Sequence, residues 1–143
     1  MNNEIRVGVT LEPNALAPSR GYVSDAGLDL YSPIDTSVPV RGSVVIDTGV
    51  HLSIPEGYAG LIVSKSGLNI NHAVTSTGLI DSGFTGTIQV RLYNDKAMVK
   101  RIDRGDKITQ VMFVKVPKVT LVLDDRANRN NRGDNGYGST DGK

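Results

Sequence analysis

The sequence has 143 residues, with 16 basic and 15 acidic side chains and a formal net charge of +1. This length suits one domain with a real core, and the charge gives no global field that would draw the chain to nucleic acid. The absence of cysteine excludes disulfides, thiolate catalysis and zinc–thiolate sites. No apolar run approaches the roughly 20 residues of a membrane span, and the polar N-terminus lacks a signal-peptide core, so we expect a soluble cytoplasmic protein.

The composition favours β-structure. The chain has 17 Val, 10 Ile and 10 Thr against seven Ala, and branching at Cβ is better tolerated in strands than in helices. Sixteen Gly and six Pro lie between short apolar runs and are expected to separate the strands. An all-β fold is therefore predicted, in the form of a closed sandwich, jelly roll or barrel.

The N-terminal part predicts one strand and then a pair of carboxylates. Residues 4–11 alternate apolar and polar side chains, which is typical of a strand. After a loop, Asp25 and Asp29 bracket small residues where the next strand begins. Taken alone, this pattern favours the start of a strand with a solvated Asp29.

Two further strands are predicted between residues 43 and 64. Residues 43–54 alternate, a turn follows at residues 55–57, and residues 58–64 form the nearly continuous apolar run of a central strand. This run leads into residues 64–68 (Ser-Lys-Ser-Gly-Leu), which can bind phosphate through a cation, hydroxyl groups and backbone N–H groups, although the same pattern is a common turn. Residues 69–73 predict a loop or one helical turn.

Residues 78–86 (Gly-Leu-Ile-Asp-Ser-Gly-Phe-Thr-Gly) are the most informative stretch. A Val/Thr-rich run precedes them and residues 87–92 alternate after them, so we expect a hairpin with Asp81 at its mouth. A carboxylate carried there on rigid backbone can act as a general base, if a substrate brings a proton within about 3 Å. Asp-Ser-Gly is equally suited to a plain turn, so the stretch alone leaves both interpretations open.

The rest of the ordered pattern contains two turns and two strands. Tight turns are predicted at residues 94–96 and 104–106, and residues 107–116 alternate in part. Gln110 within this strand would, by itself, be expected to face solvent. Residues 119–123 predict the last strand.

The composition changes after residue 124. Residues 125–143 contain just two apolar or aromatic side chains, so we divide the chain into a β domain at 1–124 and a C-terminal arm at 125–143. Such a segment cannot bury enough surface to offset its ordering entropy, and it is expected to be mobile alone. It also carries an arginine, glycines, hydroxyl groups and one aromatic ring, which suit folding over an anion.

Five segments, in this order, resemble the five motifs of the trimeric dUTP pyrophosphatases (dUTPases). They are residues 26–30 (Ala-Gly-Leu-Asp-Leu), 64–68, 78–86, 105–110 (Gly-Asp-Lys-Ile-Thr-Gln) and 132–140 (Arg-Gly-Asp-Asn-Gly-Tyr-Gly-Ser-Thr). Each motif is weak alone, but five in order across nearly the whole chain make a specific signal.

The resemblance implies a distorted jelly roll of the β-clip type and a homotrimer with shared active sites. In the family, the C-terminal arm of one subunit closes over a site built by the others. The implied reaction is hydrolysis of dUTP to dUMP and pyrophosphate with Mg²⁺ as cofactor, which keeps uracil out of DNA and supplies dUMP for thymidylate synthesis. The aspartate that matches Asp81 orients and deprotonates the water that attacks the α-phosphorus.

The resemblance also implies roles for other residues. Asp29 matches the residue that holds the metal through water, and Phe84 matches the ring beneath the deoxyribose. Backbone groups of about residues 75–80 match those that read the base. The implied substrate-binding set is Lys65, Ser66, Gly67, Thr75, Gly78, Leu79, Ile80, Phe84, Gln89, Gln110, Arg132, Tyr137, Gly138, Ser139 and Thr140.

The sequence departs from the family pattern at four of these positions. Lys65 stands where most members have arginine, so a bidentate phosphate contact becomes a point charge. Phe84 replaces a tyrosine, and Thr75 stands where an asparagine often helps hold the base. Tyr137 replaces the phenylalanine that covers the uracil, and Tyr93 is another aromatic side chain that could share this role.

Two alternative functions remain at this stage. A relative of the family deaminates dCTP, but that chemistry needs an acid/base residue, typically glutamate, and the three glutamates here (Glu4, Glu12 and Glu56) lie outside the motifs. The other alternative is a non-catalytic trimer that binds nucleotide or a regulatory partner.

Overall fold

The computed structural model describes residues 4–124. Within this range the chain forms eleven strands and one short helix, so the all-β prediction is confirmed. No helix in this range is long and apolar enough to cross a membrane. The strands are β1 Gly8–Leu11, β2 Leu28–Tyr31, β3 Thr36–Val38, β4 Ser43–Asp47, β5 Val50–Ser53, β6 Tyr58–Val63, β7 Val74–Thr75, β8 Thr77–Ile80, β9 Gln89–Asn94, β10 Lys100–Ile102 and β11 Lys107–Lys115, and the helix is α1 Ser66–His72.

The described strands form four antiparallel sheets. The largest has the strand order β2-β11-β6-β8, and a three-stranded sheet has the order β4-β9-β7. Two-stranded sheets, β1-β5 and β3-β10, complete the set. Because most neighbouring strands are distant in sequence, the sheets bring together residues that the chain order separates.

All four sheets share one apolar core. Its members include Leu30, Val38, Ile46, Val50, Val74, Leu92, Ile102 and Ile108, which are all less than 2% exposed. Burying a side chain of this size stabilises the fold by about 1.5–3 kcal/mol relative to leaving it exposed. The sheets are therefore firm supports for the loops between them.

The central strands agree with the sequence pattern. β6 is the apolar run predicted to be central, and it pairs with β11 on one side and β8 on the other. The alternation predicted over residues 43–54 is also present, but Gly49 divides the strand into β4 and β5 with a φ of 70°. A side chain at Gly49 would meet Ala15 Cβ at 2.9 Å, so this bend requires glycine.

The predicted hairpin around Asp81 is wrong. β8 pairs with β6, whereas β9 pairs with β4 and β7, so the strands on either side of Asp81 belong to different sheets. The chain enters this sheet at Ser76, between β7 and β8, where the buried Ser76 hydroxyl lies 2.7 Å from Thr109 Oγ1, and it leaves the sheet after Ile80. Asp81 therefore lies in a connection between two sheets, where a cleft can form.

The pattern also misjudged three other segments. Residues 119–123 form no strand, and Leu121 and Leu123 are 92% and 103% exposed, because no strand edge within residues 4–124 pairs with them. The first strand begins at Gly8 and not at residue 4. The segment predicted as a loop or single turn is part of α1, which extends over seven residues.

Candidate active site

A group of polar side chains lies at one end of the four-stranded sheet. The strand register places Gln110 of β11 between Asp29 of β2 and Val63 of β6. Val63 in turn lies opposite Thr77 of β8. Lys65 follows β6 by two residues, so the first, second and fourth of the motif-like segments meet in space although the chain order separates them.

Asp29 is at the centre of this group and is 6% exposed. Lys65 Nζ lies 2.5 Å from its Oδ1, and Lys107 Nζ lies 3.4 Å from its Oδ2. The interpretation of Asp29 as a solvated residue is therefore wrong, because two cations pair with the carboxylate. We call Asp29, Lys65, Lys107 and Gln110 the Asp29 cluster. Its three charges sum to +1, which suits an anionic ligand.

Gln110 also faces into the protein and does not simply face solvent. Its Nε2 donates to the Ser64 carbonyl oxygen at 3.0 Å. A side chain at Gly27 would place its Cβ 2.5 Å from Gln110 Oε1. The glycine of the first motif-like segment therefore leaves room for the glutamine of the fourth.

The start of α1 lies beside the Asp29 cluster. Lys65 is the N-cap residue, and Ser66 and Gly67, which are both exposed, begin the first turn. The first N–H groups of a helix have no partner within the helix itself. Backbone N–H groups, a hydroxyl and an ammonium group are thus available on one short segment.

A separate open cleft of about 270 Å³ lies between β8 and the loop of residues 81–88. This volume is slightly below the roughly 300–1,000 Å³ of drug-sized ligand sites, so it suits a small ligand or one part of a larger one. The cleft is lined by Ile62, Thr77, Gly78, Leu79, Ile80, Asp81, Phe84, Thr87, Ile88 and Gln89.

Asp81 and Phe84 lie together in this cleft. The Phe84 N–H donates to the Asp81 carbonyl oxygen at 3.1 Å, which closes a turn between them. The Phe84 ring is 47% exposed, and it lies over Gly86, where an added Cβ would be 2.7 Å from Phe84 Cζ. A carboxylate and an accessible ring therefore share one wall, on a turn that directly follows a paired strand.

Asp29 and Asp81 lie far apart within one chain. β2 is three strands from β8, which is about 14 Å at the usual strand spacing. Asp81 is four residues beyond Thr77, which is about 13 Å further along the strand direction. The backbone at Asp29 and the backbone at Asp81 are therefore separated in two directions.

The structure brings together some of the predicted residues and leaves others apart. The cleft contains Gly78, Leu79, Ile80, Asp81, Phe84 and Gln89, and the other end of the sheet contains Asp29, Lys65, Ser66, Gly67 and Gln110. Thr75 does not line the cleft, because it lies on β7 opposite Tyr93, which is 48% exposed. Arg132, Tyr137, Gly138, Ser139, Thr140 and the whole arm of residues 125–143 lie outside the described residues.

Sequence reasoning missed two residues of these sites. Lys107 follows the tight turn at Gly105, and a cation at that place in a motif-like segment was a usable signal. Thr87 lines the cleft and donates through Oγ1 to Asp47 Oδ2 at 3.1 Å. No local pattern indicates a contact across 40 residues of sequence.

Together, the antiparallel all-β fold, the basic cluster and the cleft with its carboxylate suit an all-β protein that binds an anionic ligand and carries a candidate general base. A family model described as dUTPase matches residues 14–141, and the chain belongs to this family. A deoxyuridine 5'-triphosphate nucleotidohydrolase of Mycobacterium marinum is 38% identical over 151 residues, covering 99% of this chain and 97% of that protein. A probable enzyme of the same name from Schizosaccharomyces pombe is 34% identical over 131 residues, covering 91% and 94%.

Solved structures of dUTPases share the fold. A variant of the Staphylococcus bacteriophage 80alpha enzyme has a TM-score of 0.86 at 28% identity, covering 98% of this chain and 100% of that one. The same phage enzyme with dUPNHPP also has a TM-score of 0.86, covering 94% and 98%. A variant from phage phi11 of S. aureus, described with a structural Mg(II) ion, has a TM-score of 0.79 at 27% identity, covering 85% and 98%.

Proposed function

We propose that this chain hydrolyses dUTP to dUMP and pyrophosphate, with Asp81 as general base for the attacking water. The observation that carries the proposal is that Asp81 and the exposed Phe84 ring line one cleft of a chain in the dUTPase family. A carboxylate so placed can take a proton from a water within about 3 Å. The reaction would keep uracil out of DNA and supply dUMP for thymidylate synthesis.

The Asp29 cluster is the proposed binding site for the triphosphate. A triphosphate carries several negative charges, and attack on it requires these to be offset and the reacting atoms to be aligned. Lys65 supplies one cation and Lys107 a second. Ser66 and the N–H groups near Gly67 are placed to donate to phosphate oxygens.

Asp29 is the residue of this cluster that fits Mg²⁺ as the cofactor. Within residues 4–124 no group of three or more His, Asp or Glu is arranged to hold a metal, and Asp29 is the one buried carboxylate there. Mg²⁺ is usually bound through one or two carboxylates together with substrate phosphates and waters, so a single carboxylate suits an ion that arrives with its substrate. When bound, the ion would neutralise phosphate charge, with Asp29 holding it through water.

The cleft is the proposed site for the base and the sugar. Gly78, Leu79 and Ile80 line it, and we propose that their backbone groups read the edge of uracil; Gln89 lines the same cleft. Phe84 would contact the deoxyribose and leave a 2′-hydroxyl without room. Thr75 lies opposite Tyr93 and outside the cleft, so it would contact the base only after a movement of β7 toward the cleft.

We further propose a homotrimer in which each site combines the cleft of one subunit with the Asp29 cluster of another. A water at Asp81 and an ion hydrated against Asp29 must meet the same phosphates, but the two residues lie at distant parts of one chain. Residues 119–123 support association as well. Val119, Leu121, Val122 and Leu123 are 69–103% exposed, and apolar side chains in an extended segment gain stability against a second copy.

The arm of residues 125–143 is the proposed lid of the site. Arg132, Ser139 and Thr140 have the chemistry to bind phosphates, Gly138 permits close approach of the backbone, and Tyr137 can stack on the base. Tyr93 is exposed opposite Thr75, and it is the alternative to Tyr137 as the ring that covers the uracil. We place the protein in the cytoplasm, where its substrate would be formed.

The test is incubation with each deoxynucleoside triphosphate and Mg²⁺, with pyrophosphate and the nucleoside monophosphate as readouts. We expect both products from dUTP alone. Ammonia release from dCTP would instead support the deaminase alternative. Binding of dUTP without any product would support the non-catalytic trimer and contradict the proposed reaction.

A further inference from the structure

His51 of β5 connects two parts of the molecule that flank the cleft. Its Nδ1 lies 2.8 Å from the Thr85 carbonyl oxygen, in the loop that carries Phe84. Its Nε2 lies 2.8 Å from Glu12 Oε1, just beyond β1. The ring is thus a bridge between the edge of the β1-β5 sheet and the loop of residues 81–88.

Both partners of the ring are hydrogen-bond acceptors. A carbonyl and a carboxylate each need an N–H from the imidazole, and a neutral imidazole has only one. The bridge is therefore complete only when His51 is protonated. In the neutral ring one nitrogen presents a lone pair to an acceptor, so one of the two contacts is lost.

The Thr85 contact matters because of where it lies in the loop. Within the described residues, it is the hydrogen bond that ties residues 81–86 to another strand, since the Phe84 N–H bonds back to Asp81. Thr85 lies between Phe84 and Gly86, the two residues whose packing sets the ring position. By contrast, Asp81 directly follows Ile80, which is still paired with Gly60 of β6.

The surroundings of His51 favour the protonated ring. Its pKa is raised above the ordinary value of 6.5, first by the hydrogen bond to Glu12, then by the one to Thr85, with smaller contributions from the negative charges of Glu12 and Asp47, while partial burial opposes them. Glu12 faces the ring from the residue after β1, and Asp47 from the end of β4. The other side chains along the groove beside the ring are apolar or carry hydroxyls, so no further group there titrates near neutral pH.

We propose that His51 is a positioning residue for Phe84: the protonated imidazole holds the Thr85 carbonyl and so keeps the ring in place for the sugar, and deprotonation loosens the loop. This proposal deepens the proposed function and rests on it. The bridge is present at low pH and is lost as pH rises through the folded-state pKa of His51, which lies above 6.5. KM for dUTP should therefore rise across that step, while kcat changes little because β8 anchors Asp81.

The first experiment measures kcat and KM for dUTP with Mg²⁺ from about pH 5.5 to pH 8.5, a range centred on histidine titration. The variants are His51→Gln and Glu12→Gln, with His72→Gln as the matched control, because His72 is the only other histidine and lies exposed on α1. We expect the wild type and His72→Gln to show the same rise in KM, by about two- to tenfold, the range for loss of one hydrogen bond.

The two bridge variants should differ from each other. Glutamine at position 51 does not titrate. At every pH, His51→Gln should therefore have a KM as high as that of the wild type at high pH, and its KM should not change with pH. Glu12→Gln keeps an acceptor but removes a charge, so its step should move to lower pH. In every variant, the preference for dUTP over UTP should fall wherever KM for dUTP rises, because both depend on the position of the Phe84 ring. A residue that merely supports the fold would lower Tm without moving the step.

The second experiment separates this proposal from the proposed function. In the ligand-free protein, the amide NMR signals of Thr85 and Gly86 should titrate with the same midpoint as the His51 ring. Both should lose that titration in His51→Gln. Amides that do not follow His51, or a KM step that persists in His51→Gln, would overturn the proposal. Amides that follow His51 in a protein that does not hydrolyse dUTP would overturn the proposed function and leave the bridge supported.

Discussion

At the scale of single residues, Asp81 depends on the strand that precedes it. β8 is paired with β6 up to Ile80, so the carboxylate begins one residue beyond rigid backbone. Asp81→Asn keeps the shape and removes the base, and loss of a general base typically lowers the rate by about 10² to 10⁴. We expect kcat for dUTP to fall in this range with KM roughly unchanged. Asp35→Asn is the control, since Asp35 is exposed, and its partners, the Arg104 N–H and the Arg101 guanidinium at 3.9 Å, lie outside both candidate sites. Near-native turnover by Asp81→Asn would remove it from the mechanism.

Phe84 is the residue to test for sugar choice. Its ring is accessible on the cleft wall, and a ring against C2′ leaves a hydroxyl neither space nor a partner. Phe84→Ala should raise activity on UTP relative to dUTP on the order of tenfold, the size of effect that a hydrophobic pocket gives for one small group. Phe84→Tyr keeps the ring and should keep the ratio. If alanine leaves the ratio unchanged, the sugar contacts another part of the protein.

At the scale of elements, the pattern of apolar residues predicted which segments are strands, because strand type depends on neighbouring side chains. The apolar run of β6 predicted a central strand and the partial alternation of β11 predicted a strand, because both patterns show in the side chains themselves; β6 and β11 are the two central strands of the largest sheet. Strand pairing is not local. The change of sheet at Ser76 and the missing strand at residues 119–123 depend on which edges are available, and no window of sequence shows that.

The candidate site divides in the same way. The position of Asp81 after a strand was predictable, because its neighbours are local. The burial of Asp29 was not, since its partner Lys65 lies 36 residues away and Lys107 arrives on β11. The bridge from His51 to Thr85 spans 34 residues and has no motif. Long-range ion pairs and hydrogen bonds are the part of a site that composition and spacing leave open.

The C-terminal arm is tested at the scale of an element. Fixing the backbone of each residue opposes closure by about 1–2 kcal/mol, so a polar arm should close only when charged contacts offset this. The γ-phosphate is the expected anchor, because dUMP lacks it. Deleting residues 131–143 should leave a folded protein that still binds dUMP but turns over dUTP far more slowly.

Proteolysis near Arg126 to Arg132 should slow with a non-hydrolysable dUTP analogue and Mg²⁺, and much less with dUMP. Full activity after truncation would leave the arm without a role.

At the scale of the whole molecule, the site is complete only if copies of the chain combine. A cyclic trimer uses one interface between different surfaces of neighbouring subunits, so the cleft of one copy can face the Asp29 cluster of the next. Light scattering should then give about three times the 15.3 kDa chain mass. A stable and fully active monomer would contradict the shared site.

Subunit mixing tests the sharing directly. Asp81→Asn damages the cleft and Lys65→Ala damages the Asp29 cluster, so trimers of either variant alone should be nearly inactive. Suppose that each site takes its cleft from one subunit and its cluster from another. In equal co-expression about half of the subunits have an intact cleft and about half have an intact cluster, so random assembly of a cyclic trimer should restore about a quarter of the sites. Mixing Asp81→Asn with Phe84→Ala is the control. Both changes lie in the cleft of one chain, so no pairing of subunits gives an intact cleft. We expect recovered dUTP turnover in the first mixture and only the average of the parents in the second. Mixed trimers that stay inactive in the first mixture would show that the two halves come from the same subunit.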